Sequence, residues 1–248
     1  MTTRCGRTTL ISLLVCAAFG APLTSVGAQG GGDDDDGAAG RGFFQVGYQR
    51  LDPDGLNSAL QDAGLPALDQ DYLTLGGVGY GSYGRFLIGG EGHALLGQDA
   101  TTPDGARQLS QGGGFGLFRI GYLAFSRDNL DVYPLFGVGG GGMSLTIAER
   151  SAPTFDEVLS DPERAARLST GMFLLDLGVG ADYRLPLGDD DDDGGLLIGL
   201  HAGYTFAPWT TSWTLDDINS VAGGPPFQIE GLYVRLSLGG WGRGDDDD

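Results

Sequence analysis

The chain has 248 residues and carries 33 acidic against 14 basic side chains, a net charge of −19, and every basic residue is an arginine. That balance excludes nucleic acid as a partner, because the chain would repel phosphate. Both cysteines, Cys5 and Cys16, fall in the first 28 residues, which excludes disulfide and thiolate chemistry from everything after them.

Residues 1–28 read as a secretory signal. Arg4 and Arg7 form a basic start, "LISLLVCAAFGA" an apolar core, and Val26 and Ala28 a small-residue cleavage site. Lipid attachment at Cys16 is disfavoured, since Val15 stands where the lipoprotein peptidase prefers a small residue. No other stretch reaches the ~18 apolar residues of a spanning helix. Residues 29–41, with "GGGDDDDGAAG", read as a flexible acidic leader without a core.

Eight segments of period two follow, at 42–50, 72–80, 85–97, 114–125, 132–147, 172–185, 196–206 and 232–241. The third opposes Phe86, Ile88, Ala94 and Leu96 to Arg85, Glu91 and His93, and the fourth carries Arg119. The fifth slips phase at "GVGGGGM": Phe136 and Val138 have one parity, Met143, Leu145 and Ile147 the other, so a glycine bulge is expected there. The sixth sets Leu175, Leu177, Val179, Ala181, Tyr183 and Leu185 against Asp176, Asp182 and Arg184. The seventh sets Leu196, Ile198, Leu200 and Ala202 against His201 and glycines, and the eighth opposes Leu232, Val234, Leu236 and Leu238 to Tyr233, Arg235 and Ser237. The links alternate between tight ("GSYG", "SRDN", 189–193) and long (51–71, 98–113, 149–171, 207–231). Within the long ones, "GLNSALQDAGL" and "FDEVLSDPERAARL" are candidate short helices. Tight turns at one end and long loops at the other describe a bacterial transmembrane barrel.

The apolar face is expected to meet lipid. Its opposite is glycine with scattered charges, which suits the narrow bore of eight strands better than a solvated exterior. Tyr48, Tyr72, Tyr83, Phe125, Tyr133, Tyr204, Phe206 and Trp209 fall towards strand ends, as interfacial girdles do. In this pattern the stretch from Arg41 to Trp241 resembles the small eight-stranded outer-membrane barrels, similar to the OmpA transmembrane domain and OmpX. The resemblance implies an all-β, antiparallel, up-and-down transmembrane barrel over residues 42–241, in a bacterial outer membrane; residues 242–248 read as an acidic tail. Barrels of this family commonly end on an aromatic residue; here "GRGDDDD" follows Trp241.

The inward polar set is Arg85, Glu91, His93, Arg119, Asp176, Asp182, Arg184, His201 and Arg235. Glu91 and Arg119 are the expected pair, and Asp176, Asp182 and Arg235 are expected around the His201 strand. Filling the bore with structural ion pairs is the favoured role for this set, ahead of an ion path or gate. Some barrels of this size modify lipid A, the deacylases through a His-x-Ser pair. Here Ala94 and Leu95 follow His93, and Ala202 and Gly203 follow His201, so no enzyme is expected. Asp189, Asp191 and Asp193 match the first half of a calcium loop, but Leu200 stands where its glutamate belongs, so a solvated charge run is expected. "RGD" at 243–245 is read as coincidence. Trp209, Trp213 and Phe227 are candidate anchors for a partner or for the lipid interface. The sequence thus points to a monomer without cofactor, with lipid around it and an extracellular partner for its long loops. A structural or surface-interaction role leads; a narrow or gated pore comes second and lipid A modification third.

Overall fold

A computed structural model describes residues 39–150, 154–160, 165–186 and 194–243. The signal, most of the acidic leader, the candidate cation residues Asp189, Asp191 and Asp193, and the end of the acidic tail lie outside these residues. Eight long strands form the wall: β1 (Ala39–Arg50), β2 (Asp71–Tyr83), β3 (Phe86–Thr101), β4 (Arg107–Tyr122), β5 (Leu130–Glu149), β6 (Ala165–Pro186), β7 (Gly194–Thr210) and β8 (Gly231–Arg243). Each pairs antiparallel with the next, and β8 returns to β1 from Ala39↔Arg243 to Gln49↔Tyr233. Closure leaves the wall no free edge to aggregate through.

Period two places alternate side chains on opposite faces, and the two faces are inverted relative to a soluble protein. On β8, Arg235 and Ser237 are 0% exposed, while Leu236 and Leu238 are 55% and 57% exposed. The same holds on β1, where Gln45 and Gln49 are buried and Phe44, Val46 and Tyr48 face out. An apolar exterior around a polar bore is stable only where the exterior meets hydrocarbon.

The strands run further than the alternation suggests. The expected loop at 98–113 is almost entirely sheet, leaving only 102–106 to connect β3 and β4. The candidate second helix divides into α2 (Phe155–Ser160) and the start of β6 at Ala165; the first forms as α1 (Asp54–Asp62).

The expected bulge on the fifth strand is absent. β5 pairs in unbroken register with β4 and with β6, and its odd residues face inward throughout. The phase slip has a different cause. Phe136 and Val138 lie outside in the lipid belt, whereas Met143 and Leu145 lie inside, in an apolar cluster above the polar bore. As the strand leaves the hydrocarbon, its outer face becomes polar (Ser144, Thr146) and its inner face apolar. The register shifts occur instead between Leu95 and Gln98 of β3, and where β6 meets β7 between Phe173 and Leu175.

Two loops fill that end. Leu56 and Leu60 of α1, with Leu51, Leu65 and Leu68, pack against Trp213, Phe227 and Ile229 of the β7–β8 connection and against the inner wall. Two expected girdle residues also change side: Tyr72 and Tyr133 point inward and are fully buried, while Tyr48, Tyr83, Phe125, Phe206 and Trp209 face out.

Candidate functional site

Below the apolar cluster the bore holds a column of polar side chains in two layers, the second beside a smaller apolar cluster with Tyr80, Leu87, Leu135 and Leu197, and glycine makes the room for it. Tyr133, Tyr233, Arg119, Arg235 and His93 each stand directly opposite a glycine on a neighbouring strand: Gly180, Gly203, Gly137, Gly47 and Gly76. A Cβ on Gly180 would lie 2.4 Å from the Tyr133 ring, and one on Gly47 would lie 2.5 Å from Arg235 Cγ. The inward glycines are thus sockets for the large side chains facing them.

In the layer nearer the apolar cluster, Glu91 Oε1 accepts from Arg119 Nη2 at 2.7 Å and from Arg235 Nη1 at 3.0 Å. Arg119 Nη1 donates to Asp176 Oδ1 at 2.7 Å, which also accepts from Tyr233 OH at 2.9 Å. Thr205 Oγ1 donates to Asp176 Oδ2 at 2.9 Å. The Arg235 guanidinium lies 3.8 Å from the Tyr233 ring centre, and His93 stacks on Phe115. Two guanidiniums and two carboxylates make this layer neutral, as burial demands.

In the second layer, Tyr133 OH donates to Asp182 Oδ2 at 2.5 Å and lies 3.1 Å from His201 Nε2. Gln45 Nε2 lies 2.8 Å from both His201 Nδ1 and Ser237 Oγ. Arg41 bridges Asp131 at 2.9 Å and approaches Asp182 at 3.7 Å.

The residues singled out in the sequence distribute unevenly over these layers. Glu91 and Arg119 meet. Asp176, Asp182 and Arg235 all flank the His201 strand, Arg235 directly opposite His201, but by side-chain contact Asp176 and Arg235 join the Glu91 layer and Asp182 alone reaches His201. Arg184 sits at the rim, 3.6 Å from Asp131. Arg85 is outside altogether: it occupies an exposed turn and donates to the carbonyls of Leu123 and Ala124, because β3 begins one residue after it. Trp213 and Phe227 are buried in the apolar cluster and are not exposed anchors, since the loop folds into the mouth. Trp209 is exposed and packs on Phe173. Arg41 and Asp131 were missed. They fall at strand starts, one assigned to the leader and the other just before the fifth segment, yet each shares parity with its inward neighbours.

Several buried polar atoms in the column have no hydrogen-bond partner among the described residues, among them Glu91 Oε2, both ring nitrogens of His93, and Nε and Nη2 of Arg235. Such groups are normally satisfied by ordered water. Among the described residues no group of three or more His, Cys, Asp or Glu side chains is placed to hold a metal.

A closed wall of eight antiparallel strands, apolar towards lipid and polar within, defines a small transmembrane barrel of the bacterial outer membrane. Among solved structures the chain is similar to Ail, the attachment invasion locus protein of Yersinia pestis, at 10% identity over 84% of this chain and 99% of that one, with a TM-score of 0.45. It is also similar to the outer membrane protease OmpT from Escherichia coli, at 10% identity over 84% of this chain and 96% of that one, with a TM-score of 0.37. No family model matches the chain, and no curated protein does.

Proposed function

We propose that this barrel is a non-catalytic, non-conducting envelope protein that works through the surface at its long-loop end, with that end outside the cell and the tight turns in the periplasm. The observation that carries the reading is the filled interior: two layers of braced charges beneath an apolar cluster leave the wall and the loops as the surfaces for interaction. Among the described residues neither histidine is hydrogen-bonded to a serine, threonine or cysteine that it could activate; His201 contacts Gln45, Tyr133 and Asp182, and His93 lies 3.7 Å from Glu91. At the loop end, α2 exposes Phe155, Val158 and Leu159 on one face, and Ile218 is exposed on the β7–β8 connection. A contiguous exposed apolar face on a loop is a contact surface for a partner more often than scattered single residues are.

Photo-crosslinkers at Leu159 and Ile218 on intact cells are expected to give discrete adducts; their absence would reduce the role to a structural one. Orientation is read separately. The chain after residue 28 has no cysteine, so Ser220→Cys should react with an impermeant maleimide on intact cells and Arg127→Cys only after lysis. The reverse pattern would invert the topology. Unchanged lipid A on mass spectrometry, with and without the protein, is the result expected of a non-enzyme.

A further inference from the structure

We propose that the outer wall at the tight-turn end carries a binding site for the phosphate headgroup of an anionic glycerophospholipid, built on Arg85. Arg85 follows Gly84 in the two-residue turn between β2 and β3, where Gly84 takes φ +55°, as the first central residue of a type II′ hairpin turn does. The side chain is fixed as well. Its Nε donates to Leu123 O at 2.9 Å and Nη2 to Ala124 O at 3.2 Å, while Leu123 N donates back to Arg85 O at 2.8 Å. The guanidinium carbon lies 5.4 Å from the centre of the Tyr122 ring. An exposed arginine ordinarily loses much rotamer freedom on taking a ligand; this one has already lost it to the neighbouring hairpin.

Its charge is also unanswered. The other described arginine side chains at this end face carboxylates: Arg41 and Arg184 on Asp131, and Arg127 on Asp128. No described carboxylate forms an ion pair with Arg85. Nη1 has no protein acceptor among the described residues, and the surroundings are aromatic. Tyr83 is 80% exposed, Phe86, Tyr122 and Phe125 also face outward, and the Phe86 and Tyr122 rings meet edge-on at 5.3 Å. Outward aromatics at the end of a barrel mark the headgroup level. The anion found at that level is lipid phosphate, and a guanidinium is the side chain whose fork of donors fits it. The choice of a glycerophospholipid rests on the proposed orientation, which puts these turns at the inner leaflet.

The test uses folded full-length protein in micelles doped with equal phosphatidylglycerol and phosphatidylcholine, with bound lipid counted by native mass spectrometry. The first retained lipid should be phosphatidylglycerol by about fivefold, the scale of one arginine at an anionic surface. Arg85→Gln should bring the ratio near one, Arg85→Lys should keep part of it, and Arg127→Gln, an equal loss of charge close by, should leave it intact. A wild-type ratio near one, a ratio unchanged in Arg85→Gln, or an equal fall in Arg127→Gln would each overturn the site. Micelles have no sidedness, so a failure here is separate from an inverted topology, which the cysteine labelling reads by itself.

Discussion

Glu91 receives two guanidiniums on a single oxygen, so its loss is not the loss of one ion pair. Glu91→Ala leaves Arg235 with no carboxylate and Arg119 with Asp176 alone. A stranded buried charge costs about 3–5 kcal/mol, which urea unfolding in vesicles should register through the heat-modifiable band. Adding Arg119→Ala leaves one guanidinium and one carboxylate in the layer and should recover part of the loss, with a coupling of roughly 0.5–3 kcal/mol. Strictly additive losses would show that the two do not act together. The Glu91–Arg119 contact was legible because both lie mid-strand on one parity of adjacent strands. The place of Asp176 was not, because it depends on the stagger of β5 against β6, which no single residue states. Outside the membrane, Thr102 Oγ1 and the Ala106 N–H both donate to Asp104 at the β3–β4 tip and hold its carboxyl below the usual carboxylate range. A depressed folded pKa stabilises above the unfolded value, near 3.9, and that contribution is lost as pH falls through the lower folded value. Amide protection at residues 102–106 should therefore be flat from neutral pH down to about 4 and fall below it. Thr102→Val should raise the Asp104 titration seen by NMR.

Along β5 one strand passes through two solvents, and that strand shows why the sequence misled. Alternation was legible wherever the outer face meets lipid, as in β8. At the glycine run the apolar parity switches although the backbone does not, because Met143 and Leu145 belong to the apolar cluster and Phe136 to the lipid belt. Residue pattern alone cannot separate a bulge from a change of surroundings; the unbroken register does. The outward positions Phe136 and Thr146 make this measurable, being ten residues and roughly 33 Å apart along the strand. Phe136→Arg should destabilise by about 2–4 kcal/mol and Thr146→Arg by less than about 1 kcal/mol, following the depth dependence of arginine on a barrel's lipid face. Equal penalties would place both in the same medium. The inward glycines add an independent check. Gly180→Ala drives a Cβ to 2.4 Å from the Tyr133 ring and should cost about 1–3 kcal/mol. Gly40→Ala, where a Cβ meets nothing within 4 Å, should be near neutral.

Across the whole molecule, three fillings of the bore act in series: the apolar cluster at the loop end, the polar layers, and a second apolar cluster with Tyr80, Leu87, Leu135 and Leu197 at the tight-turn end. The apolar cluster needs the long loops folded inward, which sequence patterning could not show: Trp213 and Phe227 look the same in a sequence whether a loop reaches outward or caps its own barrel. The polar layers below need no loop, since Arg119, Arg235, Tyr133 and Tyr233 reach across the bore from the wall itself. An ion must pass all three, so opening one leaves the others in its path. Planar-bilayer recordings of the wild type should show no steady conductance. Leu60→Ser with Phe227→Ser loosens only the cluster and should stay closed, and Glu91→Ala with Arg119→Ala thins only the layer and should give at most brief openings. The four substitutions together should open more often than either pair but not conduct steadily, because the layer around Asp182 and His201 and the apolar cluster of Leu87, Leu135 and Leu197 still fill the bore, provided the heat-modifiable band shows the barrel still folded. Steady current from the cluster variant alone would mean that the charged layers do not block the bore, and the wild type would then be a pore gated by its own loops.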